Sequence, residues 1–181
     1  QPAQEGEKVI VLDPGMAFGT GTHPTTRLMM QALGIVVRGG ERLLDVGTGS
    51  GVLGIAAKLL GADKVLGTDI DEVAVRSAQG NLDLNPVASD IQVMASDLLS
   101  DVPAQEFDIV VANMLAEVLV PLIPQVDSVL RPGGKFLLSG IYEDKAQTII
   151  AKLEENGYAL DETMKLGEWY GLIAHRKSED E

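Results

Sequence analysis

The sequence contains no cysteine. Disulfides, thiolate metal sites and a cysteine nucleophile are therefore excluded. Its two histidines, His23 and His175, lie far apart and form no H-E-x-x-H or similar spacing, so no metal site is expected. Aromatic residues make up only 4% of the chain, which leaves Leu, Val, Ile and Ala to build the core. No apolar run approaches the roughly 20 residues that span a bilayer. The first residues, QPAQEGEKV, have neither the apolar stretch nor the small-residue cleavage site of a secretory signal. A cytoplasmic protein without membrane contact is expected. Basic residues are scarce too: 14 Lys and Arg stand against 27 Asp and Glu, a formal net charge of −13, and the cations are scattered. Direct binding of nucleic acid through a basic face is not expected. The acidic excess suits either a basic protein partner or plain solubility.

What remains is the make-up of a globular chain of 181 residues, 45% hydrophobic and 23% charged. Short apolar runs read as buried strands at 9–12, 42–46, 64–69, 91–95, 107–113 and 135–140. Helical patterns lie between them. They cover 51–60, then 71–84 with Asp71 as N-cap and an apolar stripe of Val73, Ala74, Ala78 and Leu82. The next covers 115–130, interrupted by Pro121 and Pro124, and the last covers 143–156, stopped by Gly157. This alternation predicts an α/β fold with a mostly parallel sheet and helices on both faces. Two final strands joined at Gly167 predict an antiparallel terminal hairpin, with Trp169 and Tyr170 packing it against the sheet. The closing SEDE is expected to fray.

Two glycine-rich stretches stand out, DPGMAFGTGTHPTT (13–26) and DVGTGSG (45–51). The second runs from a strand into a helix, where Gly47, Gly49 and Gly51 permit a tight turn and close approach of a ligand. A bare G-x-G-x-G arises by chance in roughly one such chain in four, so its context must carry the reading. Residues 49–54 also fit the dinucleotide pattern G-x-G-x-x-G, with Asp69 twenty residues on. Asp45 separates the two readings. A carboxylate at this strand tip repels a pyrophosphate, by about 4 kcal/mol per charge pair at ~4 Å and an effective dielectric constant of ~20. It attracts an ammonium instead. S-Adenosylmethionine carries an amino-acid end and a sulfonium but no phosphate, so Asp45 favours it over NAD. Asp69 can accept both ribose hydroxyls. Asp97, after the strand 91–95, is either a ligand of the adenine amine or an exposed turn residue. Phe18 either lines the ligand channel or packs. His23 either stabilises its loop by hydrogen bonding or relays a proton.

At these residues the chain resembles the Rossmann-like class I S-adenosylmethionine-dependent methyltransferases: DVGTGSG matches their first motif and TDID their acidic second. The resemblance implies seven strands with the last antiparallel. A narrower resemblance comes from DPGMAFGTGTHPTT together with Asn113-Met114-Leu115-Ala116. These match the family that methylates ribosomal large-subunit protein eleven, with Met114 where isoleucine is usual. That resemblance implies Thr26, Gly47, Asp69 and Asn113 as cofactor contacts, and as substrate the lysine or N-terminal amines of that ribosomal protein. It also implies a separate N-terminal recognition domain. This chain is accordingly expected to be one methyltransferase domain without it. Residues 1–40 would form a loop and helix, 41–176 the core and 177–181 a charged tail. Asn113 is the candidate catalytic residue: at a strand end, its carbonyl can aim an amine but cannot act as a base. The same fold acting on a small molecule or another protein, a dinucleotide oxidoreductase and a non-catalytic binding module are the competing expectations.

Overall fold

The computed structural model describes residues 23–103 and 106–181. The expected strand at 9–12, Phe18 and most of the first glycine-rich stretch lie outside the described residues. Among the described residues α1 (Pro24–Val36) comes first, followed by β1 (Arg42–Val46), α2 (Val52–Leu60), β2 (Lys64–Asp69), α3 (Glu72–Asp83) and β3 (Gln92–Ala95). It continues through β4 (Phe107–Asn113), α4 (Ala116–Leu122), β5 (Leu130–Tyr142), α5 (Ala146–Glu155), β6 (Tyr158–Leu166) and β7 (Trp169–Arg176). The seven strands form one sheet in the order β3-β2-β1-β4-β5-β7-β6. β1 to β5 pair parallel, while β7 runs antiparallel to both β5 and β6. The sequence therefore departs from its own chain order between β1 and β4. In such sheets ligands bind outside the carboxyl ends of the strands at this switch point.

Each face of the sheet is covered. Leu43, Ile109, Val111 and Leu137 pack with Leu28, Met29 and Leu33 of α1 and Ile55 and Ala57 of α2. On the other face Leu44, Val110, Phe136 and Leu138 pack with Leu119 and Leu122 of α4 and Ile149 and Leu153 of α5. The β1 positions that alternate in sequence thus divide between the two cores, as a strand buried on both faces requires. Leu43 and Asp45 share the α1 face.

Several expectations need correction. The interruption expected in the helix over 115–130 is found, but the part after it is not α-helix: α4 ends at Leu122 and gives way to a 3-10 segment, Ile123–Ser128. Pro121 and Pro124 each lack the N–H that a continued α-helix would bond, and the tighter winding follows. Leu130 already belongs to β5, which is longer than the expected 135–140. The helix expected from Glu143 begins with a 3-10 turn, Glu143–Lys145, before α5. Val73 does not join an apolar stripe; it is 61% exposed, and α3 buries Ser77, Ala78, Asn81 and Leu82 instead. The closing residues do not simply fray, because the Glu181 carboxylate lies 3.0 Å from His175 Nε2. The terminal hairpin forms as expected, turning at Gly167 with φ +62°.

Candidate active site

The loop after β1 is shaped by backbone conformation. Gly47, Gly49 and Gly51 all have positive φ, at 73°, 54° and 84°. A side chain at Gly47 would also be obstructed, since a Cβ there would lie 2.8 Å from Met114 Cε. The bare backbone of the loop therefore faces the end of β4. Three anchors hold it. Thr48 N–H donates to the Thr68 carbonyl at 2.7 Å. Gly49 N–H donates to Asp69 Oδ2 at 3.0 Å. From below, the fully buried Asn81 of α3 donates its Nδ2 to the Ser50 carbonyl at 2.8 Å.

Asp45 lies beneath this loop and is 1% exposed. Its Oδ2 accepts a hydrogen bond from Thr48 Oγ1 at 2.9 Å, a contact that fits because Gly67, behind Thr48, has no side chain. Its Oδ1 is buried with no partner among the described residues. Burial, reinforced by the nearby Asp69 charge and only partly offset by the Thr48 hydroxyl, pushes the Asp45 carboxyl up to about 7. The sequence reading treated Asp45 as a fixed negative charge, and the structure corrects this. Near neutrality its charge is conditional, and a cation at Oδ1 would restore it.

Asp69 closes β2. Besides Gly49 it accepts from Asp71 N–H through Oδ1 at 3.0 Å. Capping of α3 falls to Asp71, whose side chain accepts from Val73 N–H at 2.9 Å. Asp69 is thus free of the capping role and spans the glycine loop and the turn into α3. A cleft of about 380 Å³ opens beside it at the carboxyl ends of the strands. Val46 and Gly47 line one side, Asp69, Ile70 and Asp97 another, and Met114 a third. Ile70, 71% exposed, and Leu98 offer the cleft apolar surface. Leu98 adopts φ +51°, rare for a leucine, in a turn tied by the Ser96 hydroxyl, which donates to the Leu98 carbonyl and accepts from Asp101 N–H. Thr68, whose hydroxyl is buried and without a partner among the described residues, also belongs to the lining.

The end of β4 meets the start of α1. Asn113 Nδ2 donates to Thr26 Oγ1 at 3.4 Å, which leaves Asn113 Oδ1 as an acceptor. Thr26 is 1% exposed and sits in the first turn of α1, behind Pro24 at the N-terminal end. His23 is the N-cap, its Nδ1 accepting from Thr25 N–H at 3.2 Å, so it stabilises the helix start as one of the two readings expected. The imidazole stands edge-on to Trp169, with ring centroids 5.4 Å apart. Trp169 therefore packs on the first helix as well as on the sheet.

The structure thus gathers Gly47, Gly49, Gly51, Asp69 and Asp97 around the glycine loop and the adjoining cleft. Thr26, Asp45 and Asn113 lie at the α1 side. The sequence reading missed Asn81, Thr48, Ile70 and Ser139. Asn81 left a signal: a polar residue between Ala78 and Leu82 on the buried side of a helix. Ser139 left one too, as a hydroxyl followed by glycine within an apolar strand. Ile70 left none, since its exposure is a property of the fold.

The family model described as "Ribosomal protein L11 methyltransferase (PrmA)" matches residues 1–177. The ribosomal protein L11 methyltransferase of Limosilactobacillus fermentum is 57% identical over 180 residues, covering 99% of this chain and 56% of that protein. The protein of the same name from Limosilactobacillus reuteri is 58% identical over 179 residues, again 99% and 56% of the two chains. This chain therefore spans little more than half the length of these relatives. The crystal structure of ribosomal protein L11 methylase from Lactobacillus delbrueckii subsp. bulgaricus superposes with a TM-score of 0.92 at 43% identity, over 98% of this chain and 90% of that one. On the match across residues 1–177 and these identities, the chain belongs to the ribosomal protein L11 methyltransferase family.

Proposed function

We propose that this chain binds S-adenosylmethionine at the carboxyl ends of β1 to β4 and transfers its methyl group to lysine or N-terminal amines of ribosomal protein L11. The observation that carries the reading is the buried Asp45 Oδ1 without a partner beneath a loop of bare backbone. That site suits an ammonium and disfavours a pyrophosphate. Asp69 is positioned for the ribose hydroxyls while it holds Gly49. Ile70 and Leu98 offer apolar contact to the adenine, with Asp97 at its amine. The backbone of Gly47, Gly49 and Gly51 and the hydroxyl of Thr26 serve the methionine end.

The cofactor, when bound, supplies an activated methyl on a sulfonium. The protein's task is alignment and exclusion of water. Deprotonating a free lysine of pKa about 10.4 at pH 7 costs about 4.6 kcal/mol. A dry site next to positive charge recovers part of this by disfavouring the ammonium form. Asn113, its Nδ2 engaged by Thr26, presents Oδ1 to accept an N–H of the neutral amine and so aims the lone pair. No group in this arrangement needs to act as a strong base. The acidic surface suits a basic partner, and a cytoplasmic protein is the matching location. No described helix is long and apolar enough to cross a membrane.

The test is methyl transfer from labelled S-adenosylmethionine to L11 on under-methylated ribosomes, with the full-length Limosilactobacillus fermentum protein as positive control. Label in L11 that disappears with Asn113→Ala supports the reading. Label confined to other molecules, with the control active, contradicts the substrate assignment.

A further inference from the structure

β5 loses register with β7 between Leu138 and Ile141, so Ser139 and Gly140 sit at an irregularity in the middle of the sheet. Bulges of this kind recur beside active sites, where they re-aim neighbouring side chains. Ser139 is 0% exposed. A hydroxyl buried there without a partner is destabilising. It donates instead to the Thr25 carbonyl at 3.0 Å, 114 positions away in sequence. The Ser139 carbonyl accepts from Met114 N–H at 3.0 Å, and Ser139 is the register partner of Asn113 across β4 and β5. One buried residue thus holds the position next to Thr26 with its side chain and the position next to Asn113 with its backbone. Gly140 makes the approach possible. Its φ is +87°, and a Cβ there would lie within 3 Å of three backbone atoms of Met114.

We propose that Ser139 is a positioning residue: its hydroxyl fixes the first turn of α1 against the end of β4 and thereby sets the Thr26–Asn113 hydrogen bond. Without that hydroxyl the turn keeps the apolar packing of Leu28 and Met29. It loses the directional contact that indexes Thr26 to Asn113. The effect on methyl transfer rests on the function proposed above; the coupling itself belongs to the ligand-free protein and is measured there.

The experiment follows the Asn113 side-chain amide by NMR in the ligand-free chain and kcat in the same variants. In Ser139→Ala the Asn113 Nδ2 protons should shift toward their positions in Thr26→Ala and exchange with solvent about tenfold faster, as expected when a protecting hydrogen bond opens. Ile149→Val, a comparable loss in the opposite core, should leave them in place. The rate should fall about tenfold in Ser139→Ala, because misplacement beside reacting atoms is costly. In a Thr26→Ala background the same change should cost less than about twofold, since residues acting through one contact are not additive. Should Ser139→Ala fail to fold, Ser139→Thr and Ser139→Val replace it: equal in shape, they should differ at Asn113 because only Thr keeps the hydroxyl. Unchanged Asn113 resonances, or an equal rate loss in both backgrounds, overturns the proposal. A wild-type chain that binds no S-adenosylhomocysteine overturns the proposed function instead, and the resonances still decide the role of Ser139.

Discussion

Asn113 and Thr26 are 87 residues apart in sequence and joined by a 3.4 Å hydrogen bond between Nδ2 and Oγ1. The contact brings the end of a central strand to the first turn of a helix that precedes the sheet. It also fixes the Asn113 amide, leaving its oxygen as the acceptor. If Asn113 aims the amine as proposed, Asn113→Ala should lower kcat by about a hundredfold while changing the Kd of S-adenosylhomocysteine by less than about threefold. Thr26→Ala should weaken both. A Kd loss in Asn113→Ala equal to its rate loss would place Asn113 in uniform binding instead.

On the proposed function, Asp45 should make cofactor binding depend on pH. Its carboxyl is pushed up to about 7 by burial and the Asp69 charge, while a cationic ligand requires the ionised form. Affinity for S-adenosylhomocysteine should therefore rise by up to about tenfold per pH unit below pH 7 and level off above about pH 8. Asp45→Asn should bind weakly with a flat profile. Titration calorimetry at pH 6, 7 and 8 checks this, and a flat wild-type profile contradicts it.

The same group sets a stability trade-off. Below the ordinary carboxylate range Asp45 is protonated whether folded or unfolded. From there to about 7 the folded chain holds a proton that the unfolded chain does not, so stability falls as pH rises, and the loss is complete above that value. Asp45→Asn removes the penalty. Its Tm relative to wild type should be higher at pH 8 than at pH 5, by about 2–4 °C for each kcal/mol recovered. A difference in Tm independent of pH would show that Asp45 is not buried in charged form.

Gly47 and Gly140 both have positive φ, yet their replacement should differ in cost. At Gly47 the obstacle is the tip of a flexible methionine. Gly47→Ala should cost about 1–2 kcal/mol of backbone strain, or about 2–8 °C in Tm, and weaken cofactor binding. At Gly140 the obstacle is the Met114 backbone, which cannot move without displacing Asn113. Gly140→Ala should melt at a markedly lower temperature than Gly47→Ala or fail to fold, as thermal scans of the two would show.

His175 ties the terminal hairpin to the end of the chain. Partial burial works against its charge, but Asp161 at 2.8 Å and Glu181 at 3.0 Å hold its pKa above the ordinary value, with Lys135 paired to the other Asp161 oxygen. The resulting stabilisation is full below about 6.5 and is lost as pH rises through the higher folded value. His175→Gln should therefore lower Tm more at pH 6 than at pH 9. Equal losses at both would mean that the ring acts through packing alone.

Much of the sheet was legible because its central strands are short apolar runs between helical patterns; β4 falls on Phe107–Asn113 and Asp71 caps α3, as their local sequence requires. The glycine loop was legible for the same reason, since its geometry is local. What local sequence does not carry is long-range contact. Nothing around Ser139 announces a bond to Thr25, and nothing around Asp45 announces the burial that moves its proton affinity into the neutral range. Val73 fits a helical stripe, and only the position of α3 on the sheet leaves it exposed. The prolines of the 115–130 segment and the interruption they cause were visible, but not that β5 already begins at Leu130.

Titration calorimetry of S-adenosylhomocysteine against the wild-type chain and Asp69→Ala tests the account most directly. The cleft beside Gly47 and Asp69 predicts binding with a Kd on the order of micromolar, about −8 kcal/mol, and its loss in Asp69→Ala. Absence of binding in the wild type, or binding that Asp69→Ala leaves unchanged, would contradict it.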